Sequence, residues 1–153
     1  MGATRRTGNP SARRPRAVTE TVTRFRVRYA ETDAMGIVHH SEYAVWFEAG
    51  RSDFFRAAGL AYAECEARGV FLPVTELYVR FSHPAFYDEE VAICTRLAEL
   101  RSRGLTFRYE VRNAADLLLA TGHTRHICVN KNRDVQTIPI WLRQILTGGA
   151  SVL

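Results

Sequence analysis

Nowhere in the 153 residues is there a run of the roughly 20 apolar residues that a membrane span requires. The N-terminus also lacks an apolar segment behind its arginines, so neither a secretory leader nor a twin-arginine signal at Arg13-Arg14 is expected. Cysteine is scarce. Cys65, Cys94 and Cys128 match no zinc or redox spacing, and their odd number suits a reducing compartment. They read as small, buried or half-buried apolar groups. A cytoplasmic location is the expectation. No internal repeat is visible, and the length suits one domain with one core. Residues 1–19 contain no acidic group but hold Arg5, Arg6, Arg13, Arg14 and Arg16; the other 16 basic residues balance 16 acids. The net charge of +5 is therefore carried by the tail. With Gly, Pro, Ser and Thr filling its remainder, it reads as a disordered, solvated extension, and no nucleic-acid binding is expected. The expected layout is a tail over 1–19, one domain over 20–147 and a short C-terminal tail over 148–153.

What is present is a composition 46% hydrophobic and 24% charged, that of an ordinary globular domain. "TRFRVRY" alternates Phe25, Val27 and Tyr29 against Arg24, Arg26 and Arg28, and "LTFRYEVRN" sets Leu105, Phe107, Tyr109 and Val111 against Thr106, Arg108, Glu110 and Arg112. Both patterns have the period of two that marks a half-buried strand. "ELYVRFS" places Leu77, Val79 and Phe81 on one side; "EVAICTRLAEL" and the long apolar "LLLATGHTRHICVN" supply two more strands. Arg103-Gly104 and Ala115-Asp116 predict hairpin turns. A helix is predicted from about Ser41 to Ala58, with Tyr43, Trp46, Phe47, Gly50, Phe54 and Ala57 at helical spacing. Gly50 implies close approach of helix to sheet, and Gly59 a C-cap. Shorter helices are predicted at "AYAECEAR" and from Ile138 to Leu146, with Pro139 near the start of the latter. The fold class is α+β, with about five mostly antiparallel strands and one long helix. One helix cannot cover both edges of such a sheet, so pairing with a second subunit is expected.

The stretch "VRYAETDAMGIVHHSEYAVWFEAGR" sets a carboxylate, Asp33, on a loop just before the long helix. A helix start offers unpaired amides and the positive end of a dipole. A nearby carboxylate can attack an electron-poor carbon or deprotonate a water. By itself, Asp33 reads first as an Asx-turn residue capping its own loop. Gly36 fits a tight turn needing positive φ. His39 and His40 are adjacent, so only one can face such a site. A metal site from Asp33, His39, His40 and Glu42 is not expected. His123 and His126, three apart on a strand, face opposite sides. Glu48 and Arg51 are spaced for an intrahelical ion pair.

Tyr29, Thr32, Asp33, Gly36, Val38, His40, Tyr43, Phe47, Glu48 and Arg51 together resemble the signature of the 4-hydroxybenzoyl-CoA thioesterase-like family of hotdog-fold proteins. The likeness extends more loosely over about residues 22–146, and departs at Tyr87-Asp88-Glu89, where the family commonly has Gly-Asp. The resemblance implies the hotdog fold, with the sheet wrapped around one long central helix. It implies a homodimer or dimer of dimers (a homotetramer), and hydrolysis of an acyl thioester at an interface site, without cofactor. It also implies that Asp33 is the nucleophile or general base and that the His40 amide holds the oxyanion. Tyr29, Gly36, Val38, Tyr43 and Trp46 are expected to touch substrate, with Arg80 and Arg108 as candidates for nucleotide phosphates. The acyl carrier would be coenzyme A or an acyl-carrier protein. A non-catalytic acyl-CoA-binding hotdog protein is the alternative from another class.

Overall fold

A computed structural model describes residues 17–149. The tail expected over 1–19 lies outside the described residues except for its last three positions, and most of the C-terminal tail over 148–153 does too. Five strands form one sheet: β1 Thr21–Arg26, β2 Val74–Phe81, β3 Glu90–Leu100, β4 Gly104–Asn113 and β5 Leu118–Ile127. Their order is β1-β3-β4-β5-β2 and every pairing is antiparallel. The helices are α1 Glu42–Ala57, α2 Tyr62–Ala67 and α3 Ile140–Thr147. None is long and apolar enough to cross a membrane.

The alternation of β4 holds for its apolar side: Leu105, Phe107, Tyr109 and Val111 are buried and Arg108 is exposed, but Thr106, assigned to the polar side, is buried too. On the buried side lies α1, which contributes Tyr43, Trp46, Phe47, Gly50, Phe54 and Phe55 to the core. Phe47 stacks on Tyr109 with ring centroids 4.2 Å apart. Each such ring contributes about 1.5–3 kcal/mol by leaving water. Gly50 lies so close to the Thr95 hydroxyl and the Ile93 side chain that a Cβ there would collide with them. The close approach inferred from Gly50 is thus real. At the far end Gly59 N–H donates to Arg56 O and Leu60 N–H to Phe55 O, each at 3.0 Å, a Schellman ending with Gly59 at positive φ.

The first strand departs from expectation. The period-two pattern predicts extended chain through Tyr29, but β1 ends at Arg26 and Tyr29–Glu31 is a turn of 3-10 helix. The cause is Glu31. Its carboxylate accepts from the Arg28 backbone N–H at 2.8 Å and the Arg28 guanidinium at 3.2 Å, which curls the chain, and from the Trp46 indole N–H at 2.7 Å, which pins the turn to α1. Glu31 is only 3% exposed.

Among the described residues β2 pairs with β5 alone, and no strand lies along its other edge. Leu77, Val79 and Phe81 do share one side, as predicted, but Leu77 and Phe81 remain about half exposed, although Phe81 meets Tyr43 of α1 edge to face with centroids 4.9 Å apart.

Candidate active site

The loop between the 3-10 turn and α1 is a small hairpin. Thr32 and Val38 form an antiparallel bridge, Asp33 N–H donates to Ile37 O and Gly36 N–H to Asp33 O, both at 2.9 Å. Gly36 has φ +77°, the left-handed conformation its sequence position suggested. One oxygen of Asp33, Oδ1, accepts from Met35 N–H at 2.8 Å. The Asx-turn reading of Asp33 is therefore correct as far as it goes. The second oxygen accepts no hydrogen bond in the described residues, and Asp33 is half-buried. Val38 N–H donates to Ala85 O at 2.9 Å, tying the loop to the segment after β2.

At the entry to α1 the amides on either side of His40 are spoken for. His39 N–H donates to Glu31 O at 2.8 Å, Glu42 N–H to His39 O at 3.0 Å, and Ser41 N–H to His39 Nδ1 at 3.2 Å. The His40 amide, between them, has no acceptor in the described residues. His39 is thus occupied in fastening the helix start. His40 instead lines, with Asp33, Val38, Tyr43, Phe81 and His83, a cleft of about 360 Å³. Burial, and secondarily the charge of Glu89, pushes the Tyr43 hydroxyl up to about 12, so it stays protonated. For Glu31, just beneath, burial alone would raise the carboxyl. The bonds from Arg28 and Trp46 outweigh that and hold it below its ordinary value.

The remaining candidates scatter. Tyr29 is 76% exposed and meets Tyr87 edge to face, centroids 5.5 Å apart, outside the cleft. Trp46 is buried in the core with its N–H on Glu31 and does not wall the cleft. Arg80 and Arg108 stand on the face of the sheet turned away from α1. Arg108 is paired across strands with Arg96 and His123, and Arg80 follows Tyr78, which stacks on His123 at 5.3 Å. Glu48 and Arg51 do not form their expected ion pair; Arg56 pairs with Asp53 instead, at 2.6 Å. Glu48 and Arg51 line a small cavity of about 80 Å³ with Ser52, Tyr62 and His126. There His126 Nδ1–H donates to Leu72 O at 2.8 Å. Its Nε2 therefore accepts from the Thr124 hydroxyl at 2.8 Å, which accepts from the Tyr109 hydroxyl at 2.6 Å. Burial drives the His126 imidazole down to about 4. His123, as expected, faces the other way, toward Glu76 at 3.1 Å.

One cleft residue was not nominated from sequence. His83 Nδ1–H donates to Leu118 O at 3.1 Å, which leaves Nε2 as an acceptor. Nothing in "FSHPA" announces it, because its position depends on β5 lying beside the end of β2.

The model of the thioesterase-like superfamily matches residues 27–146. A solved hypothetical protein from Thermus thermophilus superposes with a TM-score of 0.78 at 54% identity, covering 82% of this chain and 95% of that one. The DHNA-CoA thioesterase from Staphylococcus aureus gives 0.77 at 31% identity, covering 88% and 97%. The acyl-CoA thioester hydrolase YbgC of Escherichia coli is 30% identical over 105 residues, 69% of this chain and 78% of the relative. Family model, sequence relatives and structural neighbours agree with the hotdog architecture of a five-stranded antiparallel sheet with helices, and the chain belongs to the thioesterase-like superfamily.

Proposed function

We propose that this protein hydrolyses a coenzyme A thioester to the free acid and coenzyme A at the Asp33 cleft. The observation that carries the reading is the pairing of two unsatisfied groups in one place. Asp33 has a carboxylate oxygen without a donor, and the His40 amide at the mouth of α1 has no acceptor. A thioester carbonyl set between them meets a nucleophile or base at its carbon and an N–H at its oxygen. As the carbon becomes tetrahedral, charge builds on that oxygen, and a fixed amide at a helix start is worth about 3 kcal/mol there. The C–S bond then breaks and the departing thiolate takes a proton. If Asp33 attacks, a mixed anhydride forms and water opens it. If Asp33 acts as base, water attacks the carbonyl carbon and gives its proton to the carboxylate. Hydrolysis in ¹⁸O-water under single-turnover conditions separates these: label enters the Asp33 carboxylate only by the first route.

The relatives named above as thioesterases of DHNA-CoA and of acyl-CoA support coenzyme A as the carrier. An assay over short aliphatic, long aliphatic and aromatic acyl-CoAs, with carrier-protein thioesters alongside, tests it. Hydrolysis of carrier-protein thioesters alone would replace the carrier, and hydrolysis of none would end the reading.

The active form in this reading is at least a homodimer joined along β2. Among the described residues that edge is unpaired, and Val74, Leu77, Tyr78 and Phe81 are each 44–51% exposed on it. Light scattering at micromolar concentration is expected to give twice the chain mass or more; a stable monomer would contradict the assembly.

A further inference from the structure

Opening a mixed anhydride at Asp33 needs a second base. Water must lose a proton as it attacks, and a carboxylate held in the anhydride is the leaving group of that step, so it cannot take the proton. Among the described residues, the titratable side chains lining the cleft besides Asp33 are His40, Tyr43 and His83. Tyr43 does not serve, because burial keeps its hydroxyl protonated up to about 12. The His40 ring lies on His39 with centroids 4.1 Å apart, and no hydrogen bond among the described residues fixes which of its nitrogens is bare. His83 is held more firmly. Its backbone N–H donates to Leu119 O at 3.1 Å, beside Ser82 N–H on the same oxygen at 2.8 Å. Pro84, next in the chain, disfavours helical backbone at His83. The ring Nδ1 lies 3.1 Å from Leu118 O. A carbonyl only accepts, so this bond sets the proton on Nδ1 and leaves the Nε2 lone pair bare. The ring is exposed and lines the cleft, and its Nε2 has no partner among the described residues. His126 shows the contrast: its Nε2 is bonded to the Thr124 hydroxyl in the core.

We propose that His83 is the base that deprotonates the hydrolytic water, an inference that rests on the thioester reading above and gives Asp33 the nucleophile's part. Asp33 attacks the carbonyl carbon, the C–S bond breaks, and the thiolate leaves with the electron pair. Water then adds to the acyl carbon of the anhydride while His83 Nε2 takes one of its protons. The anhydride C–O bond breaks, its electron pair returns to the Asp33 carboxylate, and the acyl group departs as the free acid. The imidazolium passes its proton to the thiolate. One thioester and one water are consumed, one acid and one thiol are formed, and both side chains end as they began. Two bases in one cleft thus act in turn: the carboxylate before the C–S bond breaks, the imidazole after it.

His83→Asn separates the base from the structural bond. The Asn amide can take the place of Nδ1–H and donate to Leu118 O, but nothing replaces Nε2. Mixed rapidly with an acyl-CoA that wild type cleaves, the variant is expected to release about one equivalent of free thiol per active site in a burst, and then to turn over on the order of 100-fold more slowly than wild type. Its kcat and KM should fall together and leave kcat/KM unchanged, because kcat/KM is fixed once the thiol has left. A loss of kcat/KM as large as the loss of kcat puts His83 before C–S cleavage and overturns the proposal. Slow turnover without a burst also overturns it, as does turnover within about threefold of wild type, well short of the acid–base range. A burst in His40→Asn and none in His83→Asn gives the role to His40 and overturns it too, since that variant keeps the His40 amide. His83 is exposed, so an unchanged melting temperature is the expected control. Wild type that cleaves no thioester refutes the thioesterase reading and takes this role with it; every other outcome leaves that reading standing and judges His83 alone.

Discussion

Glu31 and Asp33 are two carboxylates two residues apart, and they have opposite fates. Glu31 is buried, takes bonds from Arg28 and Trp46, and has nothing left to offer a ligand. Asp33 is half-buried, spends one oxygen on Met35 N–H and keeps the other free toward a cleft. The first carboxylate fixes the place of the second. His39 N–H is bound to Glu31 O, so the 3-10 turn, the Asp33 hairpin and the start of α1 move as one piece. A reactive group needs an idle lone pair, and an idle lone pair near a core must be positioned by neighbours that have none.

The largest expected effect falls on Asp33. The Asn side chain keeps an oxygen for Met35 N–H, so the turn survives Asp33→Asn while charge and basicity go. A fall in kcat on the order of 10²–10⁴ is expected, with no change in melting temperature. Activity within about threefold of wild type, well short of that range, would reduce Asp33 to a turn residue.

Next is a pH effect from a third buried group. His126 has an ordinary value of 6.5 and about 4 in the fold, so the unfolded chain binds more protons between those limits. Stability must then fall as pH drops from about 6.5 to about 4, by on the order of 3 kcal/mol. Denaturant midpoints at the two ends of that window should differ less for His126→Gln than for wild type.

Glu31→Gln sharpens the comparison from the other side. The amide places an N–H₂ among donors, and a loss of about 1–3 kcal/mol of stability is expected, with kcat much less affected than by Asp33→Asn. The lowered carboxyl of Glu31 contributes stability above the ordinary glutamate range and loses it as pH falls through the folded value. The variant should therefore be flatter in strong acid than wild type. If Glu31→Gln abolishes activity without loss of stability, the division of labour between the two carboxylates is wrong. The smallest effect belongs to Gly36→Ala. A Cβ there meets no atom within 4 Å, so only the left-handed backbone resists it, at about 1 kcal/mol; thermal melting checks it.

The sequence was most readable where interactions are local. The apolar side of β4, the Schellman ending at Gly59, the positive φ of Gly36 and most of the helical face of α1 follow from a few neighbouring residues and are present; on that face Ala57 is exposed and Phe55 is buried in addition. The 3-10 turn at Tyr29–Glu31 was not readable, because the residue that makes Glu31 worth burying, Trp46, lies fifteen positions on. The same fact removed Trp46 from the cleft. The Glu48–Arg51 pair failed although its spacing was correct, since both side chains are drawn to a cavity built from α2 and β5. Arg108 was assigned to the polar face of its strand by alternation, and that assignment already set it apart from a cleft on the α1 side. His83 gains its surroundings from chain segments far away in sequence, so no local pattern marks it.

The solitary amine at Lys131 has a practical consequence. In a chain with twenty arginines and one lysine, an amine-selective reagent modifies one side chain besides the α-amino terminus. Mass spectrometry of that single adduct, with and without a candidate molecule present, footprints the turn closed by Asn130 N–H on Asp134 O in unmutated protein. Any acylation of a lysine side chain in this chain would also have to fall on Lys131, where it would erase one of the two cations, with Arg133, that line a groove beside Tyr62 and Phe71.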